Sequence, residues 1–490
     1  MQIATGALLR PRRHSKRTVV DRAKHSAHRH LRPVAARAGA ARPSPAAEAP
    51  PLTELSGWGY YPRVQAYERR SEDLEDITRG AVLTRGLGRS YGDSSLPPPG
   101  RHVVAGSPLA DRLLAFDHAT GVVRVEAGFT LMNLNRLFLP RGWFTPVTPG
   151  THYVTIGGMT AADVHGKNHH VAGCFGEHVR SLRLRVADGR IIDCSDEHER
   201  ELFRATLGGM GLTGHLLEVE FQMERIASPW IWQESEQVPN FDAALDALQG
   251  ASGQWPFTVL WSDFLPSGKG FGRGLLMKGR WAQPHEAPPA MPRWRGALAM
   301  PARLPSWLVQ PWMVATVWFL KYWMHGAKPR AGIVHPESFF YPLDVVRNWN
   351  RVYGRRGFTQ YQTVLPGPSS HPRHRRLVQT LRAHGGSVFL CVIKDCGAQG
   401  RGMLSFPKPG VSYALDIPIG PHTQKLVDAL NDVTVAEGGR VYLAKDAFTR
   451  AEHFRAMEPR LDAWNAVRRA WDPQGRLKSA QSIRLLGDRP

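Results

Sequence analysis

Four cysteines in 490 residues (Cys174, Cys194, Cys391 and Cys396) are too few for a disulfide framework. Cys391 and Cys396 form one C-x4-C pair with no second pair, so a zinc site has little support. No uninterrupted apolar run reaches the roughly 20 residues of a membrane span, which excludes a polytopic membrane protein. No internal repeat is visible. Acid is scarce: 42 Asp and Glu against 63 Lys and Arg leave a net charge of +21. Hydrophobic residues at 42% and charged residues at 21% are ordinary globular values, so a wholly disordered or fibrous chain is excluded. The length suggests two or three domains of about 150 residues, enough for a large core.

The positive surplus is uneven. Residues 1–50 hold eleven Lys and Arg but only Asp21 and Glu48 as acids. This stretch has no sustained apolar period and cannot offset its chain entropy, so a disordered basic tail is expected. It lacks the apolar h-region of a signal peptide. A transit peptide or an RNA-binding tail are alternatives to a dispensable leader. Residues 307–323 carry Trp307, Trp312, Trp318 and Trp323, flanked by Arg293, Arg295, Arg303, Lys328 and Arg330. Aromatic plus basic composition fits a segment lying on a bilayer. A buried helix over a hydrophobic pocket is the equal alternative.

Alternating runs at 80–86, 121–128, 178–195 and 215–223 predict strands. Asp188-Gly189 marks a hairpin turn within the third. Residues 199–209 predict a helix ending at paired glycines. Further strands are expected at 257–264, 272–281, 358–366, 387–395 and 411–419, mostly antiparallel. Helices are expected at 371–385, 423–439 and, as one piece, 452–473.

Three Gly-rich segments carry the chemistry. The first is Arg85, Gly86, Leu87, Gly88, Arg89, Ser90, Tyr91, Gly92 and Asp93. Its glycines let successive amides approach an anion, but the spacing is not that of a dinucleotide fold and Pro97 to Pro99 block a following helix. The second runs from Thr148-Pro149-Gly150 to Thr155, Ile156, Gly157, Gly158, Ala162, Asp163, His165 and Lys167. It predicts a short helix of small residues against which a flat ligand can lie, with phosphate favoured at its start. His165, His169 and His170 lack a carboxylate or thiolate at ligand spacing, so no metal is expected. The third spans Gly208 to Gly214. Three such turns within 130 residues point to a large phosphate-bearing cofactor.

These segments, in this order, resemble the flavin-binding domain of the vanillyl-alcohol oxidase / p-cresol methylhydroxylase (PCMH) superfamily. With HGKNHH, GFTQYQ, LSFPKPG and GRVYLAKD added, residues 55–485 are similar to its branch of decaprenylphosphoryl-β-D-ribose 2′-oxidases, the flavin subunits of a 2′-epimerase. The resemblance implies an α+β, two-domain PCMH-type fold. FAD-binding residues 51–226 would form two α/β subdomains. Residues 227–439 would form a substrate domain with a large antiparallel sheet covered by helices, and 440–490 would return to the FAD domain.

The resemblance places FAD against Arg85, Gly86, Leu87, Gly88, Arg89, Ser90, Tyr91, Gly92, Gly150, Thr155, Ile156, Gly157, Gly158, Ala162, Asp163, His165, Gly214 and Tyr442. Covalent members carry His where this chain has Arg89, so non-covalent FAD is implied. Lys445, His165 and Tyr91 would serve catalysis. In an apolar run, Lys445 would lose pKa by desolvation and so could act as a base. Lys167, Trp261, Tyr341, Gln360, Gln362, Lys394 and Lys445 would bind substrate. The best-known member of the branch has Cys where this chain has Ala414.

The implied activity is oxidation of a polyprenyl-phosphate ribose at C2′, a first step toward the arabinose donor of cell-envelope biosynthesis. A quinone or oxygen would reoxidise the flavin, and an NADH-dependent short-chain reductase would finish the epimerisation. The expected location is cytoplasmic, peripheral at the inner membrane face, rather than periplasmic. An aldonolactone or alditol oxidase acting on a soluble sugar is the enzymatic rival. Its His-Trp-x-Lys is replaced here by Tyr442, Leu443, Ala444 and Lys445. Nucleic acid is not expected as a partner, because the basic tail accounts for much of the charge. The purified chain is therefore predicted to show flavin absorption bands; a colourless protein with salt-sensitive affinity for random DNA contradicts this.

Overall fold

The computed structural model describes residues 51–490 except 267, 294–297, 304, 306–321, 327 and 387. The expected basic tail and most of the Trp-rich segment lie outside the described residues.

Alternating runs become three main sheets. A four-stranded sheet has the order Leu52–Ser56, Arg63–Arg70, Val103–Gly106, Leu83–Arg85, the last three in parallel. A five-stranded antiparallel sheet follows, in the order Leu113–Phe116, Val122–Glu126, His215–Gln222, Val179–Arg185, Ile191–Ser195. The expected hairpin at Asp188-Gly189 joins its last two strands.

An eight-stranded antiparallel sheet has the order Arg330–Val334, Ile231–Val238, Gly274–Trp281, Phe257–Ser262, Cys391–Cys396, Gly410–Pro418, Phe358–Pro366, Arg440–Val441. Its central strands are buried along nearly their whole length. Side chains alternate across a strand, so each face has its own company. On one face Leu260, Ile393, Tyr361, Leu365, Tyr413 and Leu415 pack under the helices Phe241–Ser252, Pro372–Ala383 and Thr423–Ala436. The alternate residues Val259, Trp261, Val392, Lys394, Ala414, Gln360 and Gln362 line a cavity.

The expected single C-terminal helix is two, Ala451–Met457 and Leu461–Trp471. Pro459 lies between them; it has no amide to donate and its ring disfavours a continuous helix. In the second helix Trp464 is fully buried and its indole N–H donates to the Ala205 carbonyl at 2.8 Å. Trp464→Ala is predicted to lower stability by about 3–5 kcal/mol, read as a fall in apparent Tm.

Candidate active site

The site begins at the end of Leu83–Arg85. Gly88 has φ +63, a conformation that side chains rarely adopt. The amides of residues 87–90 donate to no backbone carbonyl among the described residues, leaving them free for an anion. The second segment starts the helix Ile156–Ala161, with Thr155 capping it through the Gly158 amide at 3.2 Å.

Both segments line a cavity of about 280 Å³ that also receives the inner face of the large sheet. Gathered there are Gly86, Leu87, Gly88, Arg89, Ser90, Tyr91, Gly150, Thr155, Gly157, Gly158, Ala162, His165, Gly214 and Tyr442, from the predicted cofactor set. Lys167, Trp261, Gln360, Gln362, Lys394 and Lys445 join them from the predicted substrate set.

Five predicted residues do not line it. The Arg85 guanidinium turns beneath the loop, donating to the Ser56 and Ser95 carbonyls at 2.6 and 3.1 Å. Gly92 packs against residue 446: a Cβ on it would lie 1.9 Å from the Asp446 carbonyl oxygen. Ile156 is wholly in the core. Asp163 is fully buried and accepts from the Gly176 amide at 2.7 Å and from the Ser405 hydroxyl. Tyr341 bonds Asn135 and Thr148 inside the core, at 2.8 and 2.6 Å. All five support the site from behind.

The chemistry concentrates at the sheet end. The Lys445 ammonium sits 3.7 Å from the Tyr91 ring centroid. Burial pulls Lys445 below the usual lysine range, against the pull of Asp416, and Lys394 adds to the lowering. Burial also lowers Lys394 and Lys167. Lys167 Nζ donates to the Phe340 carbonyl at 2.9 Å. His165 is buried and held neutral, with Nε2 2.9 Å from Gln362 Nε2, which acts as donor when that ring nitrogen is unprotonated. Among the described residues, buried His165 Nδ1 and buried Arg89 Nε have no hydrogen-bond partner. Tyr442 Oη donates to the Ala162 carbonyl at 2.9 Å, tying the second segment to the lysine turn.

Sequence reasoning missed Asp416, Asp344, Trp58 and Trp349. Asp344, Trp58 and Trp349 line the cavity. Asp416 shares a strand face with Ser412 and Ala414, and a carboxylate in the alternation of 411–419 was its available signal.

The free amides, the small-residue helix and the unpaired His165 and Arg89 nitrogens fit a dinucleotide with a pyrophosphate and a flat ring system. Residues 76–195 match the FAD binding domain family. Together with the fold and the cavity, this defines an FAD-dependent oxidoreductase. The chain is 33% identical over 449 residues to decaprenylphosphoryl-β-D-ribose oxidase of Mycolicibacterium smegmatis, covering 88% of this chain and 97% of that protein. It belongs to the decaprenylphosphoryl-β-D-ribose oxidase family. A putative D-arabinono-1,4-lactone oxidase of Neurospora crassa is 33% identical over 113 residues, 23% of this chain and 20% of that protein. The solved structure of Physcomitrella patens BBE-like 1 shares the fold: TM-score 0.63 at 14% identity, covering 87% of this chain and 93% of that one. The α+β PCMH-type fold expected from the sequence is thus the observed one.

Gly158 is exposed on the small helix that lines the cavity. Gly158→Leu is predicted to leave the circular dichroism unchanged while flavin affinity falls about tenfold or more, measured as bound flavin per protein.

Proposed function

We propose that the chain oxidises the C2′ hydroxyl of a polyprenyl-phosphate ribose to the 2′-keto sugar, the first half of an epimerisation toward the arabinose form. One observation carries this reading: three lysine amines, Lys167, Lys394 and Lys445, converge on one cavity beside Gln360, Gln362 and His165. As ammonium groups in this low-dielectric site, Lys167 and Lys394 call for an anionic ligand, and a phosphodiester meets that need, while Lys445 is left to take a proton. Val259, Trp261, Leu390 and Val392 add an apolar wall on the same side. The soluble-lactone alternative draws support from matches over less than a quarter of the chain.

Residues 87–90 and the Ile156–Ala161 helix would hold FAD without a covalent bond; when bound, FAD supplies the two-electron acceptor. Lys167 and Lys394 would take the phosphate, and Gln360 and Gln362 would fix the sugar. Neutral Lys445 would accept the hydroxyl proton, with the Tyr91 ring beneath the ammonium that results. A quinone or oxygen would serve as acceptor, and an NADH-dependent reductase would complete the epimerisation. A peripheral place at the inner membrane face fits the exposed Met291, Leu298 and Met324 and the exposed Arg303 and Arg330, the last of which donates to the Met324 carbonyl. Among the described residues no helix is long and apolar enough to cross a membrane.

Anaerobic bleaching of the flavin, run against polyprenyl-phosphate pentoses and free aldonolactones, tests the assignment. Bleaching by the phosphoribose lipid supports it, and bleaching by the lactones alone refutes it. Lys445→Met is predicted to lower kcat about 10²–10⁴-fold at unchanged flavin content. Because the working base is the neutral amine, wild-type kcat/KM rises with pH through the lowered Lys445 pKa and then levels. That acid limb is absent from the residual activity of K445M.

A further inference from the structure

Asp416 stands out among the groups that the mechanism leaves unused. It lies on the cavity-side face of Gly410–Pro418 and is fully buried. One carboxylate oxygen accepts from Gln360 Nε2, directly across the strand pair, and the other accepts from Tyr353 Oη at 3.2 Å. The Tyr353 ring stacks on Phe358 at 4.0 Å, and Phe358 packs edge-on against Tyr91, the ring beneath Lys445. The carboxylate is therefore fixed on both sides and reaches the reacting end of the cavity through Gln360. Its negative charge also acts on Lys445.

We propose that Asp416 is a positioning residue for the oxidation: it fixes Gln360 at the sugar and supplies the negative charge that holds Lys445 as an ammonium once it has taken the hydroxyl proton. This rests on the reading of Lys445 as the base. The proton leaves the C2′ oxygen and forms the third N–H bond on Nζ. The O–H electron pair becomes the second C–O bond of the ketone and the C2′–H electron pair would leave to the acceptor that bound FAD supplies, so the positive charge on Nζ is matched by the negative charge the acceptor gains. The ammonium forms over the Tyr91 ring, which packs through Phe358 and Tyr353 onto the Asp416 carboxylate, and that carboxylate's charge favours it.

The other titratable groups around the pair come from several elements. They are Lys394 on Cys391–Cys396, Cys391 on the same strand, Tyr91 in the first loop, Tyr353 in the turn before Phe358 and His165 in the second segment. Burial keeps both tyrosines and the Cys391 thiol protonated and keeps His165 neutral. Asp416, Lys445 and Lys394 are left as the groups whose charge can change, with burial pushing the Asp416 carboxyl up to about 6 and both lysines down.

The test is the titration of Lys445 in the full chain, read by carbon NMR of lysine labelled at Cε and assigned by loss of the signal in K445R. Asp416→Asn keeps the shape and an acceptor for Gln360 but removes the charge. The expected result is a Lys445 midpoint about one pH unit or more lower, with the acid limb of kcat/KM displaced in the same direction and kcat reduced more than KM is raised. Tyr353→Phe keeps the acid but removes a hydrogen bond that favours its ionised form. It should move the midpoint the same way by a smaller step, and it serves if D416N does not fold. Asp416→Glu should restore the midpoint toward the wild-type value. An unmoved midpoint in D416N, or in Y353F if that variant alone folds, overturns the proposal. Loss of activity in K445M bears on the base assignment separately, since the NMR midpoint is read without turnover.

Discussion

The site depends on a close passage between two backbones. Residues 91–92 of the first Gly-rich loop run directly against residues 444–446 of the lysine turn. The Tyr91 amide donates to the Ala444 carbonyl at 2.9 Å, and Gly92 has no room for a side chain above the Asp446 carbonyl. Arg484 closes the joint from the C-terminal helix Ala480–Leu486, meeting Asp93 at 2.7 Å and Asp446 at 2.9 Å. Two like charges this close are tolerated only with a cation between them, so Arg484 makes the approach of the two segments stable. Gln481 adds a bond from the same helix to the Leu443 carbonyl at 2.8 Å. The loop expected to hold the cofactor and the lysine expected to act on the substrate are thereby set in one frame.

The second determinant is the period of the large sheet. Its middle strands present apolar residues to the helices, while the alternate residues bring the polar Gln360, Gln362 and Lys394 to the cavity beside the apolar Val259, Trp261 and Val392. Gln360 and Gln362 face the cavity because Tyr361 faces the helix layer, where its hydroxyl meets Thr434 at 2.7 Å. Lys394 does so because Ile393 does not. Desolvation then does the chemical tuning. The wall that excludes water from Lys167, Lys394 and Lys445 is what lowers their affinity for protons. The same wall makes an anionic ligand favourable.

Much of this was legible in the sequence for a physical reason. Glycines, small residues and a lysine in an apolar run announce backbone approach and desolvation whatever the partner. Which side of a loop a residue serves is not so written. Arg85 and Asp163 sit within the right motifs, yet their side chains turn into the scaffold, because the loop needs support beneath it as well as donors above. Tyr341 is aromatic and polar, as a pocket residue is, but it is buried and its hydroxyl is satisfied by Asn135 and Thr148. Pro459 was readable as a break and divides what looks like one amphipathic helix. Asp416 was hidden in a strand whose alternation marks its face but not its neighbours across the sheet.

The lysine-lined end of the cavity is suited to presenting C2′ of a lipid-linked phosphoribose for oxidation. The most direct measurement is anaerobic stopped-flow flavin reduction with substrate deuterated at C2′. Oxidation at C2′ requires a rate severalfold below that of the undeuterated lipid and no such fall with deuterium at C3′. An isotope effect at C3′ alone, or flavin reduction insensitive to C2′ deuteration, would contradict it.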